Sequence, residues 1–389
     1  GGGGHADGGS AFMSYAGPVF PLTVLEGSGG LSASRALTYD FAPWIPTWVS
    51  NETLLEELEG LTEEELAQAA ADHEAWFPEG GHWSASTDLL VTDSYTLTNT
   101  AQEDRALTLV YPFTASFRGL AAERPTLTAD GEELETVLCS GAYSGGFSGV
   151  GGGAEAEGAW NLAQIDSWED YKLLLESGAY RASALGDGPD LTGIPVTVYR
   201  FTDAYAPERS EEAQAPTLSV RFDLDAEKTT VLSYGFQGGA WNEEEGWMLQ
   251  SFSVGRAGDG DYGASRYLIL LGEDVDGYTL QGYRNGACEA GNELDGVGAV
   301  VTRYETDLDA VLRQVTAEYA ARYQDSPEGT ASYLSKGTAE YELYYRSVCQ
   351  LLEDYGAPSG QPVERYADGR LDDLLSEAAS IQRVFYLKS

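Results

Sequence analysis

Alternation of apolar and polar residues across positions 88–117 constrains this chain more than any other feature. Leu89, Val91, Tyr95 and Leu97 share one parity, and Thr92, Ser94, Thr96 and Thr98 share the other. After a polar stretch at 99–105, Leu107, Leu109, Tyr111 and Phe113 resume the pattern. Successive side chains of a strand point to opposite faces, so each run turns one face to a core and the other to water. The turn formers between the runs predict that they pair as an antiparallel hairpin. A lone hairpin cannot bury its apolar face, so a second layer has to cover it. Asp93 falls on the apolar parity and reads as a bend or a strand edge.

Period-two runs recur at 35–41, 218–224, 230–236, 247–254, 278–283 and 299–304. The run Tyr-Leu-Ile-Leu-Leu at 267–271 does not alternate, which predicts a central strand covered on both faces. Asp130-Gly131 is a two-residue hairpin signal. Helical signals interrupt the strands. Asn51 is placed to cap a helix over 52–59, and Thr62 with Glu65 forms a capping box for one ending at Trp76. Ser167 starts a short helix that Gly178 ends. Leu308, Val311, Leu312, Val315 and Tyr319 form an apolar stripe at helical spacing, and 339–355 and 371–379 read as two further helices. The residues at 383–387 read as a last strand.

The fold expected is mainly β with helical additions (α+β). It has two antiparallel, Ig-like β-sandwich domains, a helical insertion near 51–77 and a helical segment near 306–380. The domains expected are a disordered start at 1–10, a β-sandwich with the helical insertion at 11–165, and a second β-sandwich at 166–305. A helical segment at 306–389 follows, whose final strand returns to the first sandwich. The length of 389 residues agrees with more than one core.

Charge narrows the partners. The chain carries 63 acidic and 22 basic residues, a formal net charge of −41. Such a field repels nucleic acid and anionic membrane surfaces, and favours cations and basic partners. No apolar run is long enough to cross a membrane as a helix. Cys139, Cys288 and Cys349 are too few and too far apart for a disulfide framework or a structural zinc site. The opening GGGGHADGGS reads as a mature or trimmed start, which implies display outside the cell on a tether beyond this sequence.

Signals for catalysis are weak. His73-Glu74 begins like a zinc-protease helix, but Phe77 stands where the second histidine belongs. The glycine loop at 144–153 lacks the lysine of a phosphate-binding loop. Two acidic glycine turns, at 258–263 and 273–277, make calcium the one candidate cofactor, with Asp259 and Asp261 as candidate ligands. Trp44 and Trp48 flank prolines, and Trp241 and Trp247 flank an acidic loop. These four are the candidate binding residues for a sugar or a cation, against the alternative that each fills a core.

The phrases SYTLTN…LTLVYPF at 94–113 and YLILLGEDVDGYTLQGYRNG at 267–286 resemble uncharacterised secreted or membrane-anchored proteins of anaerobic gut bacteria. The resemblance implies a bacterial β-sandwich ectodomain and carries no active-site residues. The function expected is that of a non-enzymatic extracellular or cell-surface protein that binds a protein or glycan partner. The alternative is a carbohydrate-binding or carbohydrate-active protein.

Overall fold

A computed structural model of the chain describes residues 20–86, 88–143, 167–181, 189–257, 263–323, 339–354 and 369–389. The start at 1–10 and the glycine loop at 144–153 lie outside the described residues. The protein is mainly β, with several antiparallel sheets and a few helices. It divides into two compact units, one ending at Thr108 and the other beginning at Leu109.

The first unit holds β1 (Thr23–Val24), β2 (Leu31–Asp40), β3 (Thr47–Ser50), α1 (Asn51–Glu56), α2 (Glu63–Trp76), β4 (Gly81–Ser84) and β5 (Leu90–Asn99). The alternation read in β5 is real: Val91, Asp93, Tyr95 and Leu97 are half-buried, and the threonines between them are exposed. The expected hairpin is not formed. β5 pairs instead with β2, from Leu31 opposite Asn99 to Asp40 opposite Leu90. The run after the turn pairs with Arg383–Lys388, while β2 offers β5 ten consecutive residues without proline. Parity specifies the two faces of β5 and leaves its neighbour open; in the run after the turn, Val110 and Pro112 are buried, on the parity opposite to the one expected.

Asp93 neither bends the strand nor ends it. Arg35 donates from Nε and Nη2 to its two carboxylate oxygens at 2.8 and 2.9 Å, and the Tyr95 hydroxyl donates at 3.2 Å. Its side chain is only 5% exposed. A carboxylate is tolerated on an apolar parity when its lone pairs are satisfied in this way.

The helix α2 starts as the sequence predicts. Thr62 Oγ1 accepts the Glu65 N–H, and the Glu65 carboxylate accepts the Thr62 N–H, both at 3.2 Å. The cap of α1 lies one residue earlier than expected. Ser50, in extended conformation, accepts the Thr53 N–H at 3.2 Å. Asn51 instead donates from Nδ2 to the Phe77 carbonyl at 3.1 Å, tying the end of α2 to the start of α1. No residue of α2 is buried, so its ends carry much of its stability. Thr62→Ala should cost about 1 kcal/mol and speed amide exchange over 63–76 about fivefold. Unchanged exchange there, read by mass spectrometry, would remove the cap from the account.

The second unit begins with β6 (Leu109–Ala115), α3 (Leu120–Glu123), β7 (Thr128–Ala129), β8 (Glu132–Glu133), β9 (Val137–Tyr143) and α4 (Trp168–Ser177). Asp130 and Gly131 join β7 to β8 with φ of 51° and 85°, the paired positive angles that a two-residue hairpin requires. Ser167 caps α4 through the Asp170 N–H at 3.1 Å. Then come β10 (Pro195–Tyr205), β11 (Thr217–Asp223), β12 (Thr229–Tyr234), β13 (Gly238–Asn242), β14 (Trp247–Ser253), β15 (Arg266–Gly272), β16 (Thr279–Tyr283) and β17 (Gly298–Asp307). The unit closes with α5 (Leu308–Tyr323), α6 (Ala339–Asp354), α7 (Leu371–Ser380) and β18 (Arg383–Lys388).

One antiparallel sheet has the order β12-β15-β10-β17 and a second the order β13-β14-β11-β16. Central β15 explains why its sequence does not alternate. Leu268 and Leu270 enter a core shared with β11 and β14. Tyr267, Ile269 and Leu271 point the other way, into a core shared with the last three helices. Both parities are apolar because both faces are covered.

The helices are not trimming beside the sheets. α5, α6 and α7 supply the middle of the larger core, with β10, β12 and β15 contributing from one sheet. Leu138, Phe385 and Leu387 contribute from another, in which β18 lies between β6 and β9. The stripe Leu308, Val311, Leu312, Val315 and Tyr319 is at most 5% exposed. Tyrosines bind the layer together. The Tyr344 hydroxyl donates to the Leu375 carbonyl at 2.7 Å, and the Tyr345 hydroxyl to Asp309 Oδ1 at 2.7 Å. The Tyr267 hydroxyl donates to Glu318 at 2.5 Å, locking α5 to β15. Cys349 sits in this layer, where burial pushes its thiol up to about 12. All three cysteines are free.

Candidate functional site

The segment 41–50 lies beside 81–86 and Asp88 in the first unit, and together with Trp83 it carries five large exposed apolar side chains. Asp40 Oδ1 accepts the Ala42 N–H at 2.9 Å and starts a single 3-10 turn over Ala42–Trp44. Pro43 suits the first turn of a helix, and Pro46 commits the chain to an extended path into β3. Ser86 N–H donates to the Pro43 carbonyl at 2.9 Å, and Trp44 Nε1 donates to the Asp88 carbonyl at 3.0 Å. β3 then pairs with β4, placing Trp48 opposite Trp83 and Val49 opposite His82.

That register separates two faces. On one, His82 stacks on Phe77 with ring centroids 4.3 Å apart, next to the α1–α2 junction. On the other, Trp48 and Trp83 meet edge to face at 5.5 Å. Upstream, Phe41 and Trp44 form a second edge-to-face pair at 5.7 Å. Trp83 is 67% exposed, Ile45 66%, Phe41 53%, Trp48 44% and Trp44 42%. Together they leave on the order of 500 Å² of large apolar side chain in water, taking about 200 Å² for each fully exposed group. That is the size of the largest apolar patch on a typical soluble monomer, and such a patch is often functional.

Trp44 and Trp48 are therefore surface residues, in an aromatic strip that follows the chain over 41–48 and takes in Trp83 by strand pairing, and the core reading fails for both. Phe41, Ile45 and Trp83 belong to the same strip and were missed by sequence reasoning. The available signal was the proline-bracketed APWIPTW. Trp83 joins it only through pairing across two helices.

Trp241 and Trp247 are not brought together. Trp241 lies opposite Met248 and Trp247 opposite Asn242, so the two indoles leave opposite faces of one sheet. Trp247 donates from Nε1 to Glu245 at 2.8 Å and lies under the Arg221 guanidinium at 4.2 Å. Trp241 is 40% exposed by itself. Asp259 and Asp261 lie outside the described residues. In the other acidic turn, Asp274 already accepts from Tyr199, Val275 N–H and Arg303 at 2.8, 2.8 and 3.0 Å. No cluster of three or more metal-ligating side chains occurs among the described residues.

The second unit has a narrow apolar cleft between its two larger sheets, lined by Phe201, Phe222, Leu270 and Val275 with Tyr199 and Tyr278 at the side. Its volume is about 240 Å³ with part open to solvent, below that of ordinary small-molecule sites. Burial first, then Asp274, pushes the Tyr199 hydroxyl up to about 12, so it stays protonated and donates to that carboxylate. The cleft holds no free polar pair for acid–base work.

Comparison with known proteins gives no matching family model, no matching curated protein and no matching solved structure.

Proposed function

We propose that this is a non-enzymatic binding protein displayed outside a bacterial cell, which holds a partner on the aromatic strip of its first unit. The carrying observation is the Trp48–Trp83 pair, two indoles aligned by strand register and both exposed. Placement outside the cell rests on the strand and turn phrases at 94–113 and 267–286. We read the second unit as an open β-sandwich backed by helices. The two sheets that share the Leu218–Phe252 core support that reading. A glycan partner is the second reading, favoured by the exposed Trp83 ring, which offers a flat platform for a sugar.

The Trp48→Ala/Trp83→Ala variant tests the site. A glycan array and a displayed peptide library, probed in parallel with wild-type protein, should yield ligands that the double variant binds at least about thirtyfold more weakly. Circular dichroism of the variant should match wild type, with the melting temperature lowered by no more than the loss of one exposed cross-strand aromatic pair accounts for. Ligands bound equally by both proteins would move the site elsewhere.

A further inference from the structure

We infer that the partner of the aromatic strip is a cationic polypeptide segment, in which lysine or arginine alternates with apolar residues. This rests on the strip being the binding face and adds the chemistry of what it takes.

The argument is charge complementarity around an apolar patch. The connection between the two tryptophan-bearing strands, residues 51–80, contains ten carboxylates and no lysine or arginine. Nine of them, Glu52, Glu56, Glu57, Glu59, Glu63, Glu64, Glu65, Glu74 and Glu79, are exposed, and Asp72 is half-buried. None of the ten makes an ion pair among the described residues. Ser50 follows Trp48 by two residues and caps α1, so the acidic helices begin where β3 ends, on the side of the ladder that His82 and Phe77 occupy. At the other end of the strip stand exposed Asp40 and Asp88. The strip is thus an apolar surface with carboxylates at both ends and no cation of its own to neutralise them.

Occupants differ in how they meet that field. A second copy of the chain would bring the same carboxylates against it, and an anionic lipid surface or nucleic acid would be repelled. A neutral glycan would gain contact with the rings but nothing from the charge. A cationic segment gains three terms: apolar burial on Phe41, Ile45 and the indoles, cation–π contact with Trp83 or Trp48, and Coulomb attraction to the acidic flanks. Attraction to exposed carboxylates falls with ionic strength, which gives the inference a signature that ring stacking alone lacks.

The test uses the full chain and a fluorescein-labelled peptide alternating lysine with leucine and phenylalanine, read by anisotropy. The control is the same peptide with serine for lysine. The lysine peptide should bind, weaken at least about tenfold between about 50 and about 500 mM NaCl, and lose at least about tenfold with Trp83→Ala. Glu56→Gln/Glu57→Gln/Glu59→Gln, all exposed, should weaken it severalfold without altering the melting temperature. Equal binding of the serine peptide, lost with Trp83→Ala, would overturn the cationic partner while leaving the strip as the site. Lysine-peptide binding indifferent to Trp83→Ala would be diffuse attraction to an acidic protein and would overturn the inference. So would failure of the lysine peptide to bind at all; a glycan that needs Trp83 would then keep the strip as the site, and its absence would remove both.

Discussion

Truncation after Gln382 should abolish cooperative folding of the second unit, although it removes only β18 and the final serine. β18 is an inner strand, hydrogen-bonded to β6 on one side and β9 on the other. Its loss leaves two ladders without a partner in a place that water cannot fill. Val384 and Phe385 are 0% exposed and Leu387 is 1% exposed. Phe385 meets Phe113 at 5.9 Å and Phe117 at 5.2 Å. Arg383, also 0% exposed, donates to Ser140 at 3.2 Å and to Ser347 at 2.8 Å, joining the strand to β9 and α6. The single change Phe385→Ala should cost about 3–5 kcal/mol, a large share of the ~5–15 kcal/mol that holds a domain together. Urea unfolding followed by near-ultraviolet circular dichroism measures both. A truncated chain with the wild-type midpoint would reduce β18 to an appendage.

Acidification from about pH 8 toward the carboxylate range should raise the melting temperature. Burial pushes the carboxyls of Asp372, Glu123 and Glu377 above the ordinary carboxylate range. A carboxyl raised on folding binds its proton more tightly in the folded state than in the unfolded one. Stability is therefore lowest above the folded value, is gained as pH falls through it, and is fully present below the unfolded value. Asp372 is the strongest instance because it is the most deeply buried of the three, where α7 meets the end of β12; the Gly235 N–H that it accepts at 2.9 Å opposes part of the rise. The net charge of −41 adds in the same direction, because protonation relieves repulsion among carboxylates that outnumber the cations. Asp372→Asn keeps the acceptor and drops the charge, so it should flatten the pH dependence and at about pH 8 be at least as stable as wild type. A melting temperature that falls steadily on acidification would contradict this account.

The candidate site was half legible. Trp44 and Trp48 stood out because prolines bracket them, and proline acts on its own neighbours. Nothing local marks Trp83 as the partner of Trp48. The tryptophans of the second unit misled for a related reason: Trp241 and Trp247 are close in sequence, but strand parity sends them to opposite faces.

What the sequence by itself determined is the behaviour of short stretches. The two faces of β5, the capping box of α2, the Asp130-Gly131 turn and the apolar stripe of α5 depend on residues within a few positions of one another. What only the tertiary structure decided is which surface each element meets. β5 pairs with β2 and β6 with β18, and α5, α6 and α7 fill the space between two sheets. An apolar face records that it must be covered and carries no label for its cover, because burial of apolar area is non-directional. The choice falls to the arrangement that covers the most faces at once, and in the first unit it leaves the Trp48–Trp83 pair open.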